Sequence, residues 1–301
     1  MKNIKIYLTI VLMCFGIISW AQETETIDSD STKTSGKNEK DKRPVRSPFA
    51  CGTVLNNQTT VNLKKKTLEM MMQHRFGTFD KGYEDLWGVY GSSNIRIGFD
   101  YGIIDRIQAG FGVTKNGSLW DFRTKGAILE QTRSNSMPIA VTYFGEMAIS
   151  AKRDETRYKK GAQRMSYFHQ IIISRKFADW FSMQFSASYA HYNIVDSVAG
   201  TKHDNFALSA SGRFKVSPQS SVLFEFDYPL TNTGNDATKT HPNLGLGWEI
   251  ATSSHAFQIF VASANGIIPQ QSIVYNSNDF TKPKEGLILG FNITRKWGFV
   301  K

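Results

Sequence analysis

Six histidines are the residues of this chain best suited to hold a metal or move a proton, and their arrangement points to neither. His74, His169, His191, His203, His241 and His255 follow no zinc or haem spacing, and no cysteine pair accompanies them. No metal or other cofactor is expected. Met70-Met71-Met72 offers soft sulfur ligands, but in an extended segment Met71 points opposite to its two neighbours, so the three cannot converge on one ion. Nucleophilic catalysis needs a nucleophile, a base and an orienter held together. The chain has no Gly-x-Ser-x-Gly element, and His203 beside Asp204 is the one local suggestion of a lipid-acting hydrolase, so the chain is read as not an enzyme. What does recur is polar and charged residues at alternate positions: Glu69, Gln73, Arg75, Arg96, Asp100, Gln108, Asp121, Arg123, Lys125, Glu146, Arg213, Glu225, Asp227 and Glu249. Groups so placed share one face of a set of strands, where they either pair and fill an interior or line a water-filled passage for small solutes. Acids and bases nearly balance in this set, which favours pairing and argues against strong ion selectivity.

The elements that must position these groups are strands. From Thr67 onward apolar residues recur with period two in segments of about ten residues. Ile95, Ile97, Phe99 and Tyr101 alternate with Arg96, Gly98 and Asp100, and Val222, Phe224, Phe226 and Tyr228 alternate with Leu223, Glu225 and Asp227. About twelve strands are predicted, near 68–76, 94–102, 106–115, 119–131, 138–150, 163–175, 181–192, 205–216, 221–229, 243–252, 256–263 and 286–297. Tight turns alternate with long polar loops at 77–93, 151–162, 193–204, 231–241 and 265–285; the short Asn116-Gly117 turn is the one exception to that rhythm. This is the pattern of an all-β, antiparallel up-and-down transmembrane β-barrel, with short turns on the periplasmic rim and long loops on the outer one. Tyr101, Trp120, Tyr143, Tyr167, Trp180, Tyr189, Tyr228, Trp248 and Trp297 are the candidates for aromatic girdles at strand ends. A secreted β-sandwich would alternate too, but it needs neither so many regular strands nor such girdles.

Composition agrees. The chain has 301 residues, 41% hydrophobic and 21% charged, with 8 Pro and 2 Cys, which excludes collagen-like, wholly disordered and disulfide-scaffold classes. Lys2 and Lys5 precede the apolar stretch from Tyr7 to Ile18, and Ser19-Trp20-Ala21 forms a signal-peptidase site, so residues 1–21 read as a signal peptide cleaved near Ala21. Residues 22–48 read as a disordered periplasmic tail, 49–66 as a pre-barrel or plug segment, and 67–301 as an outer-membrane barrel in a Gram-negative bacterium. Cleavage lowers the net charge from +10 to +8, and because the tail is neutral that excess lies beyond it. Lys64-Lys65-Lys66 stands just before the first strand, where it is a solvated basic edge or a contact for anionic headgroups. The expected partners are outer-membrane lipid and lipopolysaccharide, the barrel-assembly machinery, and an unidentified periplasmic or surface protein; scattered basic residues without a recognition element argue against nucleic acid.

Three stretches carry a resemblance: Asn57-Gln58-Thr59-Thr60-Val61, Leu68 through His74-Arg75-Phe76-Gly77, and Gly91 through Asn94-Ile95-Arg96-Ile97-Gly98-Phe99-Asp100-Tyr101-Gly102. From about residue 49 to its C-terminus the chain resembles an uncharacterised family (a domain of unknown function) of bacterial outer-membrane β-barrel proteins. The resemblance implies a barrel and no established activity. The leading expectation is a passive channel or transport-related barrel for small solutes. A closed structural or partner-binding barrel acting through its extracellular loops is the rival, and a lipid-acting barrel enzyme comes third.

Overall fold

The computed structural model describes residues 41–196, 198–231 and 239–299. The signal peptide, its cleavage site and residues 22–40 of the tail lie outside the described residues. Two short strands, β1 (Thr53–Val54) and β2 (Asn57–Gln58), form a hairpin. Twelve longer ones follow: β3 (Thr67–Thr78), β4 (Asn94–Ile104), β5 (Ile107–Thr114), β6 (Leu119–Leu129), β7 (Ala140–Ser150), β8 (Met165–Lys176), β9 (Phe181–Tyr192), β10 (Asp204–Lys215), β11 (Ser220–Pro229), β12 (Asn243–Ala251), β13 (His255–Ala262) and β14 (Ile288–Gly298). Each pairs antiparallel with its sequence neighbours, and β14 returns to pair with β3, with Phe291 opposite His74. The sheet is therefore a closed up-and-down barrel, which leaves no unpaired edge.

Alternation decides the two faces, because successive side chains in a strand point to opposite sides of the sheet. On β4, Ile97 and Tyr101 are exposed on the outer face while Asn94, Arg96 and Asp100 are buried inside. On β3, Met71 is buried inward and hydrogen-bonded by Thr53 Oγ1 at 3.6 Å, while Met70 and Met72 face out. The Asn116-Gly117 turn exists, closed by Ser118 N to Lys115 O at 3.0 Å, and glycine suits the φ of 79° at position 117. Strand ends depart from the predicted ranges by up to two residues. Several of the largest shifts fall near irregularities of register, as at Ala127/Leu129, where β6 stops at Leu129. His74, which sequence placed at the end of the first strand, lies within β3 on the outer face, stacked on Phe291 at 5.1 Å.

The barrel interior is filled from both rims. Residues 49–63 enter from the short-turn side, where Phe49, Val54 and Leu55 pack on Leu223 of β11 and on Phe260 and Ala262 of β13. Leu55 is fully buried, a burial that contributes about 1.5–3 kcal/mol for a side chain of its size. It fits because the wall beside it is glycine: a Cβ at Gly245 or Gly247 would come within 2.9 or 2.8 Å of its methyl groups. From the long-loop side the π-helical turn Gln270–Val274 descends, placing Ile273 and Val274 against Phe144, Phe168, Ile172, Ala190 and Ala207. Residues 41–47, polar in composition, run along the β6–β7 turn through backbone bonds: Val45 N to Gln131 O at 2.9 Å, and Arg133 N to Arg43 O at 2.9 Å. Such pairing needs no apolar side chains, which is why composition assigns this stretch to the tail.

Candidate functional site

The charged wall is built on β3 to β7, and its organising feature is glycine in the middle strand. Asp100 on β4 and Arg123 on β6 both stand opposite Gly110 of β5, so the two side chains meet over a residue that has none. Arg123 donates from Nε to Asp100 Oδ1 at 2.8 Å, and its second nitrogen bonds the other carboxylate oxygen. One layer up, Asp121 faces Gly112, and Arg96 reaches across to it, Nε to Oδ2 at 2.9 Å, again with a second contact to the other oxygen. A Cβ at Gly110 or Gly112 would collide with Asp100 or Arg96. Bidentate geometry lets these pairs survive burial, where an unpaired charge is costly. Glu146 faces Arg123 across β6 and β7.

The β1–β2 hairpin is seated by charge as well as by Leu55. Glu225 accepts bonds from the backbone N–H groups of Asn56 and Asn57 at 2.8 and 2.9 Å and from the Asn56 amide at 2.7 Å. Asp227 accepts from the Asn57 amide at 2.7 Å, and Asn243 donates to both carboxylates. On the other side Arg75 donates to Asn56 Oδ1 at 2.7 Å and to Asn292 Oδ1 at 3.0 Å, while its guanidinium lies 4.6 Å from the centre of the Phe260 ring. Lys125 Nζ donates to Gly52 O at 3.2 Å, and Gln108 Oε1 accepts from Leu63 N at 2.8 Å. Lys296 Nζ lies 3.5 Å from Glu69, and Glu249 lies 3.2 Å from Arg213 Nε and accepts from Gln258 at 2.9 Å. Gln73 Oε1 accepts from Arg96 at 3.3 Å.

The wall of β8 to β10 is different. Its inward residues include Ser166, Gln170 and Ser174 on β8, Ser182, Gln184, Ser186 and Ser188 on β9, and Ser209 and Ser211 on β10, all buried. The hairpin segment touches it lightly, with Gln184 Nε2 to Gln58 O at 2.6 Å and Thr60 Oγ to Ser174 Oγ at 2.5 Å. Gln170 Oε1, Gln184 Oε1 and Ser188 Oγ have no hydrogen-bond partner among the described residues.

All the polar and charged positions singled out in the sequence are at most 8% exposed and point into the barrel. The candidate set leaves out most of the uncharged part of the same face, the serines and glutamines above and Asn243, Gln258 and Asn292, together with Asn56 and Asn57 of the hairpin that this face receives. The strand residues among them stand at the same alternate positions as Gln73 and Gln108, whereas Asn56 and Asn57 precede the barrel, where no alternation marks them. Among the aromatics, Tyr101, Trp120, Trp180 and Trp248 are exposed on the outer face. Tyr143 and Tyr167 lie beside His169 and His191, Tyr189 donates to Asp204 at 2.6 Å, Tyr228 is half-buried near the end of β11, and Trp297 lies under Arg295. Tyr101, Tyr143, Tyr189 and Trp248 each stand within a strand rather than at its end. Stagger between strands is the reason for Trp248, which pairs with Val222, two residues from the start of β11. His203 and Asp204 share no hydrogen bond: His203 Nδ1 bonds Tyr192 O, while Asp204 accepts from Tyr189 and from His191 at 2.8 Å.

The family model described as membrane bound beta barrel domain (DUF5777) matches residues 49–297. The chain belongs to this family. The match begins where the lumenal segment does, so the family's domain includes the hairpin along with the barrel. Among solved structures, a KdgM porin is similar in fold, with 7% identity over 78% of this chain and 99% of that one, and a TM-score of 0.42. An outer membrane channel from Pseudomonas putida F1 has 11% identity over 78% and 97%, with a TM-score of 0.48. A NanC porin has 8% identity over 77% and 100%, also with a TM-score of 0.48. No curated protein sequence matches.

Proposed function

We propose that this chain is an outer-membrane transport barrel for small solutes, closed at rest by its own residues 49–63, with passage along β8 to β10 when that segment shifts. The observation that carries the reading is the wall itself: Gln170 Oε1, Gln184 Oε1 and Ser188 Oγ are buried with no hydrogen-bond partner among the described residues, between serine side chains and the apolar patch of Phe168, Ile172, Ala190 and Ala207. Buried polar atoms of this kind are satisfied by water, and a wall that binds water is one a polar solute can follow. The hairpin leans on that wall through two contacts while its strong anchors lie elsewhere, on Glu225, Asp227 and Arg75. The short turns face the periplasm in this reading, and the mature chain begins at Gln22.

The test is conductance of the purified full chain in a planar bilayer beside Glu225→Gln/Asp227→Asn, which weakens the hairpin seat. Rare openings for the natural chain and frequent ones for the variant are expected. Silence from both, with heat-modifiable gel mobility showing folded barrels, would sink the proposal. That outcome would favour the rival, a closed barrel acting through its outer loops, which the Ile273–Val274 insertion supports because it ties the long loop into the lumen. Recovery of the protein from the soluble periplasm rather than the outer membrane would defeat both.

A further inference from the structure

The lumen is nearly balanced in charge, but its short-turn mouth is not. A cavity of about 1100 Å³ opens there, bounded by residues 44–50 and 60–64 and by the β6–β7, β8–β9, β10–β11 and β12–β13 turns. Its charged lining is Arg46, Lys64, Lys176, Arg213, Lys215 and Lys296 against Glu130 and Asp179. Both acids are engaged: Asp179 lies 2.7 Å from Lys176, which also holds its carboxyl below the usual range, and Glu130 lies 3.4 Å from Arg106, outside the cavity. Arg213 and Lys296 are tied to Glu249 and Glu69 deeper in the barrel. Arg46, Lys64 and Lys215 remain, exposed at the cavity and in no ion pair among the described residues. The opposite mouth differs. Its cavity of about 400 Å³ carries one cation and one anion, Arg157 and Asp196.

We infer that the short-turn mouth is an anion-accepting vestibule, and that the solute of the transport barrel proposed above carries more than one negative charge. The inference rests on that transport reading. A concave site lined by charge of one sign, with low-dielectric walls, concentrates counter-ions more strongly than the same charges on a flat surface. Here the field is not cancelled from below, because the Arg96–Asp121 and Arg123–Asp100 pairs are neutral units. Selectivity is then set at the entrance rather than along the lumen, which is why charge counting over the strands alone argues against it.

The experiment titrates full-length protein in neutral detergent with inorganic tripolyphosphate by calorimetry at two salt concentrations, with maltotriose as the uncharged comparison. Tripolyphosphate should bind and weaken with salt, and maltotriose should not bind. Arg46→Glu/Lys64→Glu/Lys215→Glu should lose at least about tenfold in affinity. The same charge change on the other rim, Lys152→Glu/Lys159→Glu/Lys160→Glu, should change it by less than about twofold. If the first variant does not fold, the corresponding triple glutamine variant replaces it and should lose affinity in the same direction. Absence of tripolyphosphate binding, or equal losses on the two rims, overturns the inference. Conductance of the hairpin-seat variant separates the two levels of argument. Openings without anion preference defeat the vestibule and leave transport standing, whereas tripolyphosphate binding to a barrel that never opens defeats transport and leaves the anion site.

Discussion

From Ser166 to Ser174 on β8, from Ser182 to Ala190 on β9 and from Asn205 to Ser211 on β10, no inward residue is charged, whereas the neighbouring wall of β4 to β7 carries Arg96, Asp100, Asp121, Arg123, Lys125 and Glu146. Both walls are buried and carry polar groups, the second interrupted by the apolar Phe168, Ile172, Ala190 and Ala207, and both come from strands with the same alternation. They differ in what a displaced partner would cost. On the charged wall each guanidinium is held by both oxygens of one carboxylate over a glycine, so the geometry is unique, and loss of one member leaves an uncompensated buried charge. On the serine and glutamine wall a hydroxyl trades one partner for another, or for water, at a net cost of about 0.5–1.5 kcal/mol per hydrogen bond. A barrel so built has one side whose charged pairs fix its shape and another that, under the transport reading proposed above, lets a segment shift along it.

Breaking the comparison begins with Arg96→Ala. This change should cost about 3–5 kcal/mol, read as a loss of folded, heat-modifiable barrel or a lowered denaturation midpoint in lipid. Replacing both Arg96 and Asp121 by apolar residues of similar volume should restore most of that loss, because the buried charge is then gone rather than stranded. If Arg96→Ala is no worse than a serine substitution on β9, the two walls are not different in kind. Next in size is Leu55→Ala, expected to weaken docking of the hairpin by about 2–5 kcal/mol. Its readout is Cys51, which is 2% exposed and is the free cysteine of the described residues, so maleimide labelling of the folded barrel should speed up markedly. Unchanged labelling would mean that Leu55 is not what holds the segment in place.

Gly112→Ala should cost about 1–3 kcal/mol by driving a methyl group into the Arg96 guanidinium. Pairing it with Arg96→Lys, whose head is slimmer, sharpens the point. Part of the loss should return if collision with Arg96 is the cause, and none if glycine matters only for strand flexibility. Smallest of all, Ser186→Ala removes the hydroxyl that receives Gln170 Nε2 at 2.9 Å and should cost no more than about 1.5 kcal/mol in a urea titration. A larger loss there would make the β8–β10 wall a structural core and undercut the passage drawn along it.

Legibility followed the range of the interaction. β4 could be read almost residue by residue, since Ile95, Ile97, Phe99 and Tyr101 against Arg96 and Asp100 need nothing but the pleat to separate them. The inward direction of Glu225 and Asp227 was equally plain, but their role was not. They bind Asn56 and Asn57, which lie about 170 residues away in the chain, and no local pattern announces that contact. Arg96 and Asp121 were both marked as lumenal, yet nothing in the alternation says that they reach over Gly112 to each other. Ser186 and Gln184 alternate with Phe185 and Ala187, so their direction is legible, but a neutral residue at an inward position reads the same whether it fills space or faces water.

By itself, then, the order of residues determined the alternation of faces, the number of strands and the rhythm of short and long connections. All of these follow from the two-residue pleat and from local turn chemistry, which act within a few residues. Tertiary structure decided the rest: which charges neutralise each other, where Leu55 and the Asn56–Asn57 turn are seated, and that the mouth at Arg46, Lys64 and Lys215 is left positive. Those outcomes depend on strand register and on closure of β14 onto β3, which bring together residues that are distant in the chain.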